Sequence, residues 1–279
     1  MYIYQIEAGY FNADGGACFG VVPKRAWNKR YPCDEDNFCK LTLRSLFIVT
    51  DDRRILIDTG TGNKQSDYMR LYGVKAIVDF EAALQKLGFS CADVTDVIQT
   101  HLHFDHCGGS VKYGADKTPE LTFPNATYHV GETQWKNFLE PNVREADSYF
   151  PENMMAIEEA GRLNLISETT ALCEGVTLKL FDGHTPGQLV TYLEDRGKTF
   201  VYVGDVIPTA ANVPLAWVSS YDTHPVTAMS EKKLLLDESI ANNQILIFEH
   251  DAYTECCTVT VNNGKYKVLE TATLDEMQS

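Results

Sequence analysis

The sequence predicts an α/β protein, on three observations. Apolar, β-branched stretches of strand length alternate with stretches of helical periodicity. Gly, Pro, Asn and Asp punctuate the boundaries between them. Residues able to bind metals recur just after the apolar stretches, where loops converge at the carboxyl ends of strands. A chain of 279 residues, 44% of them hydrophobic, can bury a sizeable core. No low-complexity tract, short repeat or Pro/Gly/Ser-rich linker marks an internal boundary, so residues 1–279 are expected to form a single domain.

Taken in order, residues 42–50 and 53–58 read as the strands of a hairpin turning at Asp51-Asp52. Ile77, Phe80, Leu84 and Leu87 share one helical face and Gly88 supplies a stop, which predicts a helix over 77–87. Residues 94–100 form a short buried strand. Further strands are expected at 126–130, 176–181, 189–193, 199–204 and 244–249. Residues 225–242 read as a helix with Pro225 in its first turn. Residues 259–261 and 266–269, joined through Asn262-Asn263-Gly264-Lys265, form a hairpin.

Lys and Arg number 24 against 39 Asp and Glu, a formal net charge of −15. That balance disfavours nucleic acid and anionic membranes as partners, since both demand clustered cations. The longest apolar runs, such as 245–248, are far too short to span a bilayer. The segment beginning Met1-Tyr-Ile-Tyr-Gln has no basic region, apolar run or cleavage site of a signal peptide. A cytoplasmic location is expected, with the eight cysteines as free thiols.

The chemistry is concentrated in Thr100-His101-Leu102-His103-Phe104-Asp105-His106-Cys107-Gly108-Gly109. Four potential ligands fall within six residues, directly after an apolar strand. Imidazole nitrogen and carboxylate oxygen are the donors that zinc takes in catalytic sites. In an extended stretch His101 and His103 share a face and can grip one ion. A helical turn then redirects Asp105 and His106 to a neighbouring point, where a second ion fits. Gly108-Gly109 permits close backbone approach at that turn. Three later strands each end in one further ligand type: His184 in Gly183-His184-Thr-Pro-Gly187, Asp205 after Gly204, and His250 after Glu249.

These motifs resemble those of the metallo-β-lactamase superfamily: the His-x-His-x-Asp-His run, Gly-His before Thr-Pro-Gly, a strand ending in Gly-Asp and a last strand ending in His. They occur in the family's order, and Asp58-Thr59-Gly60 resembles its early Asp-Thr-Gly turn. The resemblance implies a four-layer αββα sandwich, two sheets face to face with helices outside. It implies that His101, His103 and His184 hold one metal ion, and that Asp105, His106 and His250 hold the second, with Asp205 bridging. The implied cofactor is a pair of divalent ions, zinc first, with iron or manganese as alternatives. The implied reaction is hydrolysis by a metal-bridging hydroxide, which Asp105 orients and whose proton it can accept. Asp58 is read as a partner behind a ligating histidine or a turn residue rather than a ligand.

Within that superfamily the chain is most similar to the lactonase and methyl-parathion-hydrolase-like branches. The implied function is hydrolysis of small-molecule lactone, ester or phosphotriester bonds. A mononuclear iron oxidoreductase of the persulfide-dioxygenase type is the alternative. A glyoxalase-II-like thioesterase is a further one, although only 29 residues follow His250, too few for that enzyme's helical carboxy-terminal domain. The partner is a small molecule, and a homodimer is allowed. Acyl-homoserine lactonases commonly carry a catalytic Tyr three residues after the bridging Asp, where this chain has Pro208.

Phe19, Trp27 and Trp217 are candidates for an apolar pocket wall, with core packing as the alternative. Tyr221 and His224 are candidates to reach substrate from the loop after Asp205, with packing and a surface position as their alternatives. Arg25, Lys29 and Arg30 can steer an anionic substrate or form a solvated basic turn. His129 and Cys107 are read as structural.

Overall fold

The computed structural model describes residues 1–279, which fold as two compact units. The first is Met1–Phe11 with Thr42–Ser167, and the second is Asn12–Leu41 with Glu168–Ser279.

The first unit draws on β1 (Tyr2–Asp14), β2 (Phe38–Val49), β3 (Arg54–Ile57), β4 (Asp96–Ile98), β5 (Val111–Tyr113), β6 (Pro119–Leu121), β7 (Thr127–Gly131) and β8 (Leu163–Ile166). Six strands make one sheet in the order β1-β2-β3-β4-β7-β8, while β5 and β6 form a separate ribbon. The expected hairpin is present, with β2 antiparallel to β3 and Val49 opposite Arg54. From β3 to β8 the sheet is parallel, with Ile57 opposite Ile98 and Ile98 opposite His129. This register brings the carboxyl ends of β3 and β4 side by side, which sets Asp58 next to the His101–His106 run. His129 is structural: Nε2 lies 2.8 Å from Asp96 Oδ1, and Nδ1 lies 3.0 Å from Asn164 Nδ2.

The helix expected over 77–87 is confined to Phe80–Gln85. Asp79 caps it, accepting from the amides of Glu81 and Ala82 at 3.0 and 3.3 Å, so the preceding residues stay outside. Ile77 is 41% exposed and takes no part in the buried stripe. The sequence reading missed the helix Glu132–Leu139, which buries Trp135 and Phe138, and the long first strand.

The second unit is a seven-stranded sheet of β9 (Thr170–Cys173), β10 (Val176–Phe181), β11 (Gln188–Asp195), β12 (Lys198–Tyr202), β13 (Ile245–Ile247), β14 (Cys256–Asn262) and β15 (Lys265–Ala272). Neighbours follow the chain order and are antiparallel, except that β12 and β13 run parallel. A parallel pair needs a long crossover, and the helix Pro225–Ala241, which starts at its proline as expected, lies within it. Its Leu235 and Leu236 join Val190, Val201, Leu246, Phe248 and Val259 in the core, each buried leucine stabilising by roughly 1.5–3 kcal/mol. The last hairpin turns at Asn263 and Gly264, both at positive φ (50° and 71°), as a two-residue turn between right-twisted strands requires. All eight cysteines are free thiols. No helix is long and apolar enough to cross a membrane.

Candidate metal centre

In the first unit the ligand run leaves β4 and enters the short helix Phe104–Cys107, with His103 at its N-cap position. Asp58 has a left-handed backbone (φ 54°), a conformation that costs a non-glycine residue about 1 kcal/mol or more. That turn aims its carboxylate inward. Asp58 Oδ1 accepts from the Thr100 amide at 2.7 Å, and Oδ2 accepts from Thr100 Oγ1 at 2.6 Å. Oδ2 also lies 3.2 Å from His106 Nδ1. Glu145 Oε1 lies 3.1 Å from His103 Nε2, and Thr100 Oγ1 lies 3.1 Å from His101 Nδ1.

These contacts assign the tautomers. Thr100 spends its proton on Asp58, so its oxygen accepts from His101 Nδ1. The Glu145 carboxylate accepts from His103 Nε2. The remaining nitrogens, His101 Nε2 and His103 Nδ1, then face each other as lone pairs at 3.0 Å. Both rings are buried. Two facing acceptors in a buried site are unfavourable without a cation between them. The donor set thus fits a metal ion, with each histidine backed by an oxygen on its outer nitrogen. The inner nitrogen of His106, Nε2, lies 3.6 Å from Asp105 Oδ2.

The loop after β3 grips this turn. The Thr59 amide and hydroxyl both donate to the carbonyl of His106, at 2.7 and 3.1 Å. Lys64 Nζ donates to the carbonyls of Gly108 and Val111. A Cβ at Gly108 would lie 2.0 Å from the Thr61 oxygen and one at Gly109 2.2 Å from the Thr59 oxygen, so both positions demand glycine.

In the second unit the parallel register pairs Tyr202 with Ile247. Asp205 and His250, each three residues further on, therefore emerge together. Asp205 Oδ1 lies 3.1 Å from His250 Nε2, and Oδ2 lies 3.3 Å from His184 Nε2. His184 Nδ1 is 2.9 Å from Asp222 Oδ1. With Nδ1 donating to Asp222, His184 turns an acceptor nitrogen towards a carboxylate oxygen, the same cation-demanding arrangement as in the first unit. Each Asp205 oxygen serves a different histidine, as a bridging carboxylate would. The Gln188 side-chain oxygen, oriented to accept, receives the amides of Asp205 and Val206 at 3.0 and 3.2 Å and fixes the turn.

Each unit thus gathers its own share of the seven sequence-predicted ligands: His101, His103, Asp105 and His106 in one, His184, Asp205 and His250 in the other. The substrate candidates all lie in the second unit. Phe19 and Trp27 are fully buried and stacked with ring centroids 5.2 Å apart, and Trp217 is half-buried in a T-shaped contact with Phe19, ring centroids 6.1 Å apart. Tyr221 is 44% exposed, and His224 is exposed, its Nδ1 3.1 Å from Thr223 Oγ1. The Pro208 carbonyl accepts from the His250 amide at 3.3 Å. Sequence reasoning missed Glu145 and Asp222. Asp222 stands between the candidates Tyr221 and His224; Glu145 lies in a polar segment that carries no distinguishing signal.

Residues 44–250 match the family model of the Metallo-beta-lactamase superfamily. A solved structure of a probable metal-dependent hydrolase from Staphylococcus aureus is similar at 28% identity and TM-score 0.86, covering 98% of each chain. The structure of AidC, a dizinc quorum-quenching lactonase in complex with a product, shares the fold at 20% identity and TM-score 0.79, covering 98% of this chain and 95% of that one. The transcription termination factor FttA of Methanocaldococcus jannaschii is 29% identical over 170 residues, which is 58% of this chain and 25% of that protein. This chain therefore spans about a quarter of that curated relative's length. With three quarters of its length under the family model and the family's ligand motifs in place, the chain belongs to the metallo-β-lactamase superfamily and has its fold.

Proposed function

We propose that the chain hydrolyses lactone, ester or phosphotriester bonds of small molecules with two divalent ions, zinc first. The observation that carries this reading is the convergence of His101 Nε2 and His103 Nδ1, 3.0 Å apart in a buried site, with an oxygen behind each ring on its outer nitrogen. In the proposed ligand set, His101, His103 and His184 hold one ion and Asp105, His106 and His250 the other. Asp205 would supply a carboxylate to both. Nitrogen and carboxylate donors of this kind suit zinc. When bound, such a pair supplies Lewis acidity and lowers the pKa of water towards neutrality.

The chain's own groups do the rest. Glu145, Asp58 and Asp222 hold protons on the outer histidine nitrogens, fixing ring tautomer and orientation. The Asp105 carboxylate orients the attacking water and accepts its proton. Likeness of fold to a lactonase supports lactones as one substrate class. Pro208 offers no side-chain donor to a lactone carbonyl, and one such donor is typically worth about 10²–10³ in rate. Aryl esters and aryl phosphotriesters, with better leaving groups, depend less on it.

Metal analysis with a substrate panel tests the reading. Two zinc ions per chain, with an aryl ester turned over at least about 10²-fold more efficiently in kcat/KM than a homoserine lactone, is the expected result. One iron per chain with oxygen consumption would overturn it in favour of an oxygenase.

A further inference from the structure

Lys24, Arg25, Lys29 and Arg30 fall in one short stretch of a chain with a net charge of −15, and all four are exposed. Arg30 differs from its neighbours in what it touches. Its guanidinium lies over the Trp217 ring, 4.5 Å from the centroid, whereas Lys24 stands 6.0 Å from the ring of Trp27. Trp217 is well anchored. Its carbonyl accepts from Lys232 Nζ at 3.1 Å and from Asn212 Nδ2 at 3.2 Å, and its ring makes a T-shaped contact with buried Phe19. The Arg30 amide donates to the Trp27 carbonyl at 2.8 Å.

Both partners are tied to metal-ligand positions of the same unit. Tyr31, adjacent to Arg30, has its hydroxyl 3.4 Å from the His250 carbonyl. The loop carrying Trp217 runs on to Asp222, which holds His184 Nδ1. A guanidinium held over an indole ring keeps N–H donors for a further acceptor. Stacking also pre-orders the side chain, which lowers the entropy lost when an anion docks. Long-range repulsion from the net charge is screened beyond about 8 Å at physiological ionic strength.

We propose that Arg30, stacked on Trp217, recognises a carboxylate at the end of the substrate remote from the scissile bond. The preferred substrates are then small esters or lactones that carry a negative charge. This rests on the hydrolase reading above and narrows its substrate class. Arg30 acts on substrate binding and takes no part in bond cleavage.

The test compares the mono-4-nitrophenyl ester of adipic acid, which has a free carboxylate, with its methyl-capped counterpart, on zinc-loaded full-length protein. The ratio of kcat/KM, anionic over capped, is expected to fall about tenfold in Arg30→Gln, mainly through KM, since a charge-assisted hydrogen bond is lost. Arg30→Lys keeps part of the preference, and added salt erodes the ratio in wild type. An unchanged ratio in Arg30→Gln overturns the proposal. If wild type turns over neither ester, the hydrolase reading fails, and recognition is then decided without turnover by tryptophan quenching with 4-nitrobenzoate. About tenfold weaker binding to Arg30→Gln than to wild type sustains it; equal binding overturns it.

Discussion

The first unit takes His101, His103, Asp105 and His106 from one run of six residues; the second takes His184, Asp205 and His250 from three different strand ends. In the first, chain contiguity sets the geometry, and the surrounding fold grips the backbone through Thr59, Lys64 and two obligatory glycines. In the second, sheet register sets it: the parallel pairing of β12 and β13 brings Asp205 and His250 together, and Gln188 at the start of β11 pins the Asp205 turn. A contiguous set spreads its dependence over several neighbours. A dispersed set hangs on the member that touches the others, here Asp205, whose two oxygens meet two histidines.

The largest effect should therefore come from Asp205. Loss of groups that merely orient ligands costs about 10–100-fold, and Asp205→Ala removes both contacts of a proposed direct ligand. Activity is expected to fall by more than about 10²-fold, with metal content dropping alongside it. Metal analysis and kcat/KM on the same preparations check this. Full occupancy with full activity in Asp205→Ala would break the contrast between the two ligand sets.

The same contrast explains what was legible in the sequence. Four candidate ligands in six residues stand out against any background, so the first set could be read from local spacing alone. His184, Asp205 and His250 each look like an ordinary strand-end residue; only their order and their flanking Gly, Thr and Pro marked them. The supporting partners were invisible because tertiary packing alone creates their role. Glu145 reaches His103 from 42 positions away in the chain, and Asp222 reaches His184 from 38. Strand positions from β10 to β15 were legible because β-branched runs there are bounded by clear turns, whereas the short β9 was missed. The helix over 77–87 was overextended because periodicity cannot reveal that Asp79 caps it late. Trp27 and Phe19 illustrate a further limit: aromatic residues read alike whether they wall a pocket or stack in a core.

The supporting carboxylates offer a finer comparison. Asp222→Asn and Glu145→Gln should each lower metal affinity about 10–100-fold by disturbing the tautomer of their histidine. They should differ in stability. Glu145 also accepts from Asn137, Asn142 and Tyr149 at 3.0, 2.5 and 3.0 Å. A Gln amide there turns a donor towards donors in a buried site, at a cost of about 1–3 kcal/mol. Asp222 meets His184 and faces no such crowd of donors. Metal titration and urea unfolding of both variants check this; equal loss of stability would show that Glu145 is no more constrained than Asp222.

The smallest effect separates two lysines that hold backbone loops, half-buried Lys64 in the first unit and buried Lys232 in the second. Lys64 binds the carbonyls of Gly108 and Val111; Lys232 binds those of Asn212, Pro214 and Trp217 at 2.9, 3.1 and 3.1 Å. Burial pushes Lys232 down from 10.5 to about 7, against the pull of Asp222, and pushes Lys64 down to about 8. The unfolded chain keeps both near the ordinary value. Above the lowered folded value and below 10.5, the unfolded state holds a proton that the folded state lacks, so stability rises with pH. Below about 7 both states are protonated at Lys232, and the cost of its buried charge is fully present. Each lysine thus contributes a slope of about 1 kcal/mol per pH unit across its window, opening near 7 for Lys232 and near 8 for Lys64. Urea unfolding between about pH 7 and 9 should show a flatter profile for Lys232→Met than for wild type throughout. Lys64→Met should flatten only the upper part. A Lys232→Met profile parallel to wild type would mean that three carbonyls keep the ammonium charged, making Lys232 a permanent strut of the Trp217 loop rather than a group that titrates with it.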